Sequence, residues 1–244
     1  MTQEKVALVT GASRGIGAAI ARRLGKDGLT VIVNYAGSAD AAAAVVREIE
    51  IAGGKATAAQ ADVSDPSAVK GMFDSAEAAF GGIDVLINNA GIMMLAPIAA
   101  ADDQNVDRQI DINLKGTINT LREAATRLRS GGRIVNFSTT VVGLKLETYG
   151  IYAATKAAVE TLTAIMAKEM RGRDITVNAV APGPTATDLF LKGKSDELIE
   201  RMSKMNPLER LGTPEDIASV VSFLAGPDGA WVNGQTLRAN GGVI

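Results

Sequence analysis

Hydrophobic and polar positions follow two alternating rhythms along this chain. Short runs rich in β-branched residues read as strands: "KVALVT" (5–10), "LTVIVN" (29–34), "KATAAQ" (55–60), "IDVLIN" (83–88), "GRIVNF" (132–137), "DITVNAV" (174–180) and "QTLRA" (235–239). Several are apolar at nearly every position, the pattern of strands covered on both faces. Helical spacing fills the intervals 14–27, 39–52, 66–79, 104–129, 151–171 and 214–225. This alternation predicts an α/β fold, a doubly wound, mostly seven-stranded parallel sheet with helices on both faces. No internal repeat or low-complexity linker interrupts it, so one domain is expected over 1–244. A long insertion at 185–212 breaks the rhythm, and connections of that length in compact domains are often lids. Its Leu189, Phe190, Leu191, Met202 and Met205 alternate with Lys and Glu, which suits a lid closing over a substrate, or else a subunit contact.

The first strand runs directly into "VTGASRGIGAAIA", with Gly11, Gly15 and Gly17 spaced G-x-x-x-G-x-G ahead of the first helix. Glycine permits a tight turn and close approach of a ligand, and a helix N-terminus offers free N–H groups to a pyrophosphate. A strand before and a helix after are the context that a dinucleotide-binding, Rossmann-type turn requires. An acidic residue ending the second strand would bind the 2′-hydroxyl of an NAD ribose. Asn34 stands there instead, with Arg14 in the glycine turn to pair with a 2′-phosphate and Asn34 and Ser38 to donate hydrogen bonds. NADP(H) is therefore expected over NAD(H).

Composition narrows the chemistry. The chain has 47% hydrophobic and 21% charged residues and a net charge of −2, with Lys and Arg scattered, so no nucleic-acid or membrane footprint is expected. No apolar run reaches the length of a signal sequence or membrane span, and a cytoplasmic enzyme is the expectation. Zero Cys excludes disulfides and thiol nucleophiles, and zero His excludes a Ser-His-Asp triad and imidazole metal ligands. Acid–base work near neutral pH then falls to Tyr, Lys, Asp, Glu or a cofactor. "YAATKAAVE" (152–160) places Tyr152 and Lys156 four residues apart on one helix face. An adjacent ammonium favours phenolate and is expected to lower the phenol's pKa from its usual value near 10. Such a tyrosine can exchange a proton with a carbonyl oxygen as hydride moves.

"TGASRGIG", "NNAG" (88–91), "DINLKGT" (111–117), "YAATK" and "VNAVAPGPTAT" (177–187), in this order and spacing, resemble the short-chain dehydrogenase/reductase family across the whole chain. The nearest likeness is to oxoacyl-thioester reductase-like and naphthol reductase-like carbonyl reductases. The resemblance implies Tyr152 as catalytic acid/base, Lys156 as its pKa-lowering and ribose-binding partner, and Asn113 as holder of a water that links Lys156 to solvent. It implies cofactor contacts from Gly11, Ser13, Arg14, Gly15, Ile16 and Gly17. Asp62 and Val63 would lie against adenine, and Asn89, Ala90 and Gly91 beside ribose. Pro182, Gly183, Thr185 and Thr187 would hold the nicotinamide half. The family places a substrate-binding serine about 13 residues before the tyrosine; "NFSTTVVG" offers Ser138, Thr139 and Thr140, with Ser138 favoured and Thr139 close behind. Thr140 fits best if "VVG" sets the alignment. Asn240 stands where the family commonly has aspartate. The family further implies a homotetramer, to which the apolar faces of 104–129 and 151–171 could contribute.

The expected activity is reversible reduction of a ketone to a secondary alcohol with NADPH. One alternative is a 3-oxoacyl-thioester reductase, for which Arg127, Arg129 and Arg133 are the candidate docking patch for an acidic carrier protein. Another is a non-catalytic dinucleotide-binding sensor or scaffold. "ADDQNVD" (101–107) reads as a helix start capped by aspartate, and "IMML" (92–95) as pocket wall or core.

Overall fold

The structure is a computed structural model and describes residues 4–244, so Met1–Gln3 of the N-terminal run lie outside it. Seven strands form one parallel sheet: β1 (Val6–Val9), β2 (Thr30–Tyr35), β3 (Lys55–Gln60), β4 (Ile83–Asn88), β5 (Leu128–Phe137), β6 (Thr176–Pro182) and β7 (Thr236–Ala239). Their order is β3-β2-β1-β4-β5-β6-β7. The order reverses between β1 and β4, which makes the crevice above their C-terminal ends the place where such sheets bind ligands.

Successive side chains of a strand leave opposite faces, and β1 divides itself accordingly. Ala7 and Val9 enter a core built with α1 (Gly15–Lys26), α2 (Ala39–Ile51) and, near the chain's end, a helix over Pro214–Ala225. Val6 and Leu8 enter the opposite core, against Phe73 of α3 (Pro66–Phe80), Leu121 and Ala124, and Met166. Both faces are therefore dry, as the nearly continuous apolar strands require.

The expected helix 104–129 is not continuous. It comprises α4 (Asp103–Gln109), a π-helical segment (Ile110–Lys115) and α5 (Gly116–Arg127). Asp102 caps α4 by accepting the Asn105 N–H at 2.7 Å, which accounts for the aspartate cluster. The π segment inserts extra backbone into the helix and turns Asn113 inward, where its amide grips Ile92. Hydrophobic spacing is blind to one added residue of this kind. The strand expected at 132–137 begins earlier, at Leu128, which pairs with Ile83 before a register irregularity.

After β5 come α6 (Val141–Leu144) and the long α7 (Gly150–Glu169). The insertion folds as α8 (Asp188–Leu191) and α9 (Asp196–Ser203), followed by α10 (Pro214–Ala225). Its base is clamped: Ala186 N–H donates to Gly212 O and Gly212 N–H to Pro184 O, both at 2.9 Å. No helix is long and apolar enough to cross a membrane among the described residues.

Candidate active site

The glycine turn is built to lie close to its neighbours. Gly11 and Gly15 have φ of +61° and +56°, a conformation costly to any residue with a Cβ. At Gly17 the obstacle is space, since a Cβ would stand 2.4 Å from Gly11 O and 2.5 Å from Asn89 Nδ2. Asn89 fastens the "NNAG" segment to the turn by donating to Thr10 O and Gly11 O. Thr10 Oγ1 accepts the N–H groups of both Asn89 and Ala90. The first turn of α1 carries no acidic residue and its N-cap, Arg14, makes no side-chain cap bond. The free N–H groups of that turn and a backbone stripped of Cβ atoms fit a pyrophosphate.

Arg14 is exposed, with no ion-pair or hydrogen-bond partner among the described residues, beside the partly buried Ser13. Ser38, at the N-cap of α2, is also exposed and its hydroxyl caps nothing. Asn34 is a correction. Its side chain is buried, accepts the Gly11 N–H at 3.2 Å and donates to Ala59 O and Ala61 O. Both amide hydrogens are spent bracing the glycine turn, which leaves none for a 2′-phosphate. Asp62 accepts from the Ser64 N–H and hydroxyl, while Val63 is buried beneath Gly116.

Across the crevice lies a cleft of about 930 Å³ that opens to solvent. Ile16, Asn89 and Gly91, Pro182, Gly183, Thr185 and Thr187, and Thr139, Tyr152 and Lys156 all line it. Tyr152 and Lys156 are indeed together, with Lys156 Nζ 5.9 Å from the phenol ring centroid. Lys156 is buried and donates to Phe137 O at 2.9 Å. Asn113 reaches the same spot from the π segment: a Cβ on Gly91 would lie 3.2 Å from Asn113 Oδ1 and 3.5 Å from Lys156 Nζ. Both amide hydrogens of Asn113 are already given, to Ile92 O and Thr155 Oγ1.

The expectation of a lowered phenol pKa reverses. Burial pushes the Tyr152 phenol up to about 12; a hydrogen bond shared with the Thr139 hydroxyl pulls the other way and loses, and nearby Tyr149 adds a small upward push. Burial also pulls Lys156 down to about 8. Desolvation penalises both charged forms, and it is the largest cause of each shift.

Among the three hydroxyls, the preference for Ser138 gives way. Its side chain is buried and donates to Glu160, a partly buried residue on α7 that the sequence reading passed over. Thr140 donates to Ala181 O at 3.2 Å. Only Thr139 meets Tyr152. All three residues line the cleft, but the Ser138 hydroxyl is engaged by Glu160 and the Thr140 hydroxyl by β6. Arg127, Arg129 and Arg133 are a second correction. Arg127 is paired with Asp74, Glu77 and Glu123, Arg129 with Asp84, and Arg133 is buried on main-chain carbonyls. Arg127 ends α5 and Arg129 and Arg133 lie in the first part of β5, away from its C-terminal end where the cleft opens.

The wall beyond Tyr152 is apolar. Met93, Leu144, Leu146 and Tyr149 form one side, with Phe190 and Met205 from the insertion on the other. The Tyr149 ring meets that of Tyr152 edge-on at 6.5 Å.

A family model described as enoyl-(acyl carrier protein) reductase matches residues 11–244. The chain belongs to the short-chain dehydrogenase/reductase family. Within that family it is 43% identical over 254 residues to an NADPH-dependent aldehyde reductase-like protein, chloroplastic, of Arabidopsis thaliana, covering 98% of this chain and 94% of the relative. It is 44% identical over 245 residues to the 3-oxoacyl-[acyl-carrier-protein] reductase FabG of Staphylococcus aureus, covering 100% and 99%. A family member from Burkholderia cenocepacia solved in complex with NADP superposes with a TM-score of 0.93 at 39% identity, covering 100% and 99% of the two chains. The chain is thus an oxidoreductase of this family by descent, and the parallel seven-stranded sheet is the family's fold.

Proposed function

We propose that this protein is an NADP(H)-dependent carbonyl reductase that interconverts an uncharged, largely apolar ketone or aldehyde and its alcohol. The observation that carries the reading is the Thr139–Tyr152–Lys156 arrangement, in the same cleft as a glycine turn that fits a dinucleotide. Unpaired Arg14 and Ser38, the absence of a carboxylate at position 34, and the NADP- and NADPH-linked relatives support the phosphorylated dinucleotide.

When bound, the nicotinamide supplies or accepts the hydride, and its positive charge in the oxidised form adds to that of Lys156. Tyr152 holds a proton at its hydroxyl over the whole neutral range and delivers it to the carbonyl oxygen. Thr139 shares a hydrogen bond with that hydroxyl and orients the same oxygen. Lys156, anchored on Phe137 O, stabilises the phenolate left behind and lies where it can hold a ribose. Asn113 holds the Ile92 backbone in place beside them. The insertion 185–212 closes the apolar wall and keeps water from the reacting atoms. Exposed Phe223 and Trp231 support assembly into a homotetramer.

The 3-oxoacyl-thioester reading is favoured by the similarity to the staphylococcal enzyme, but the arginines that would dock a carrier protein are spent elsewhere. Turnover of acetoacetyl-coenzyme A beside benzaldehyde and cyclohexanone, followed by NADPH absorbance, separates the two. Efficient reaction of the thioester alone would overturn our choice. Tyr152→Phe should bind NADPH normally and lose about 10³-fold or more in kcat. Unchanged turnover in that variant would remove the catalytic reading and favour the sensor alternative.

A further inference from the structure

Glu160 is the one charged side chain on α7 whose hydrogen bond reaches into the catalytic cleft without touching a reacting group. It follows Lys156 by one helical turn, so the two are neighbours on the same side of α7 as Tyr152. Three consecutive residues at the exit of β5 face that helix. Phe137 O accepts from Lys156 Nζ at 2.9 Å, Ser138 Oγ donates to Glu160, and Thr139 lines the cleft together with Tyr152. The outer two face the acid–base pair itself.

The main chain of the exit is held to β6, where Ser138 N–H donates to Val180 O at 2.8 Å and Thr140 N–H to Pro182 O at 3.0 Å. Deeper in the strand, Asn136 donates to Thr163 of α7 at 2.9 Å and holds the body of β5 against the helix. Past the end of that strand, the Ser138–Glu160 bond is the only tie that sets the exit against α7 without using Tyr152 or Lys156 among the described residues. A hydroxyl donating to a carboxylate makes a short, charge-assisted bond, stronger than a neutral pair.

We propose that Glu160 is a positioning residue which, through Ser138, sets Phe137 O for Lys156 and the Thr139 hydroxyl for Tyr152. The role rests on the carbonyl-reductase reading and gives Ser138 a function distinct from substrate contact. Glu160 acts as an acceptor, so an amide replaces it in part and a methyl group does not.

The test compares Glu160→Ala, Glu160→Gln, Ser138→Ala and the double alanine variant, assayed by NADPH oxidation with benzaldehyde and by melting temperature. Glu160→Ala and Ser138→Ala should each lower kcat about tenfold, with KM for NADPH within about twofold, and move the alkaline limb of the pH profile. The double variant should fall no further than either single one, the mark of two residues acting through one bond. Glu160→Gln should keep kcat within about threefold of wild type. A Glu160→Ala protein with wild-type kcat, a kcat loss without any movement of the pH limb, or additive losses in the double variant would overturn the proposal. If Glu160→Ala fails to fold, Ser138→Ala carries the same test, since it removes only a hydroxyl. Wild-type protein that binds NADPH but does not reduce benzaldehyde would count against the carbonyl-reductase reading instead. In that case the chemical shift of the hydroxyl-bearing carbon of labelled Tyr152 tests the positioning role directly, and an identical shift in wild type and Glu160→Ala overturns it.

Discussion

At the scale of single residues, buried Lys156 and half-buried Tyr152 give the protein a pH signature of its own. Lys156 is drawn down from its ordinary 10.5 to about 8, so the unfolded chain binds its proton more tightly than the folded one. The stability it contributes is complete above pH 10.5 and is lost as pH falls through about 8. Tyr152 is shifted the opposite way, from 10.0 to about 12, and its contribution is lost only as pH rises through that higher range. Between pH 8 and 10 the lysine acts alone of the two. Wild type should therefore gain stability relative to Lys156→Met across that window, by about 3 kcal/mol in full. Urea unfolding of the ligand-free pair at several pH values reads the difference, and a flat difference would show that the ammonium is not buried in solution. Tyr152 and Lys156 were legible as a pair from their spacing. The direction of the phenol's shift was not, because desolvation depends on what packs around a group and spacing carries no record of that.

At the scale of elements, the strand–turn–helix unit that opens the chain is the most tightly specified. Gly17 faces a backbone oxygen and the Asn89 side-chain amide, which is itself held by hydrogen bonds to Thr10 O and Gly11 O. Gly17→Ala should cost about 1–3 kcal/mol by overpacking and displace Asn89, so NADPH binding should weaken more than stability suffers. Fluorescence titration with NADPH beside a thermal melt checks this; tight binding with an unchanged melt would contradict the contact. The insertion is held differently, with a hydrogen-bonded base between Pro184, Ala186 and Gly212 and apolar side chains facing the cleft. Phe190→Ala should raise KM for benzaldehyde about tenfold while kcat changes little, since it removes wall rather than chemistry. A fall in kcat at constant KM would assign Phe190 to the reacting geometry. The glycine spacing announced the first element, whereas the π segment that delivers Asn113 was invisible to periodicity.

At the scale of the molecule, charge and apolar surface are segregated. Arg127 and Arg129, around the start of β5, are neutralised by carboxylates at the bottom of the sheet, and the catalytic cleft at its top is walled mainly by apolar side chains. Trp231 is 99% exposed and is the chain's only tryptophan, and Phe223 is exposed on α10. Apolar groups so placed are expected to be covered by further copies of the chain. Sedimentation should give about four times the mass of one chain, and tryptophan emission should shift to longer wavelength on dilution to monomer. A monomer at micromolar concentration would overturn the assembly.

The sequence by itself determined the doubly wound sheet, the glycine turn, the Tyr152–Lys156 pair and the exclusion of thiol and imidazole chemistry. Each of these rests on spacing or composition within a short stretch. Only the tertiary structure decided that Asn34 braces the turn, that Thr139 and not Ser138 bears on the phenol, that Glu160 stands behind Ser138, and that two of the three arginines are paired with carboxylates and the third held by carbonyls. Those outcomes turn on which way a side chain points and on partners dozens of residues distant, and a linear pattern specifies neither.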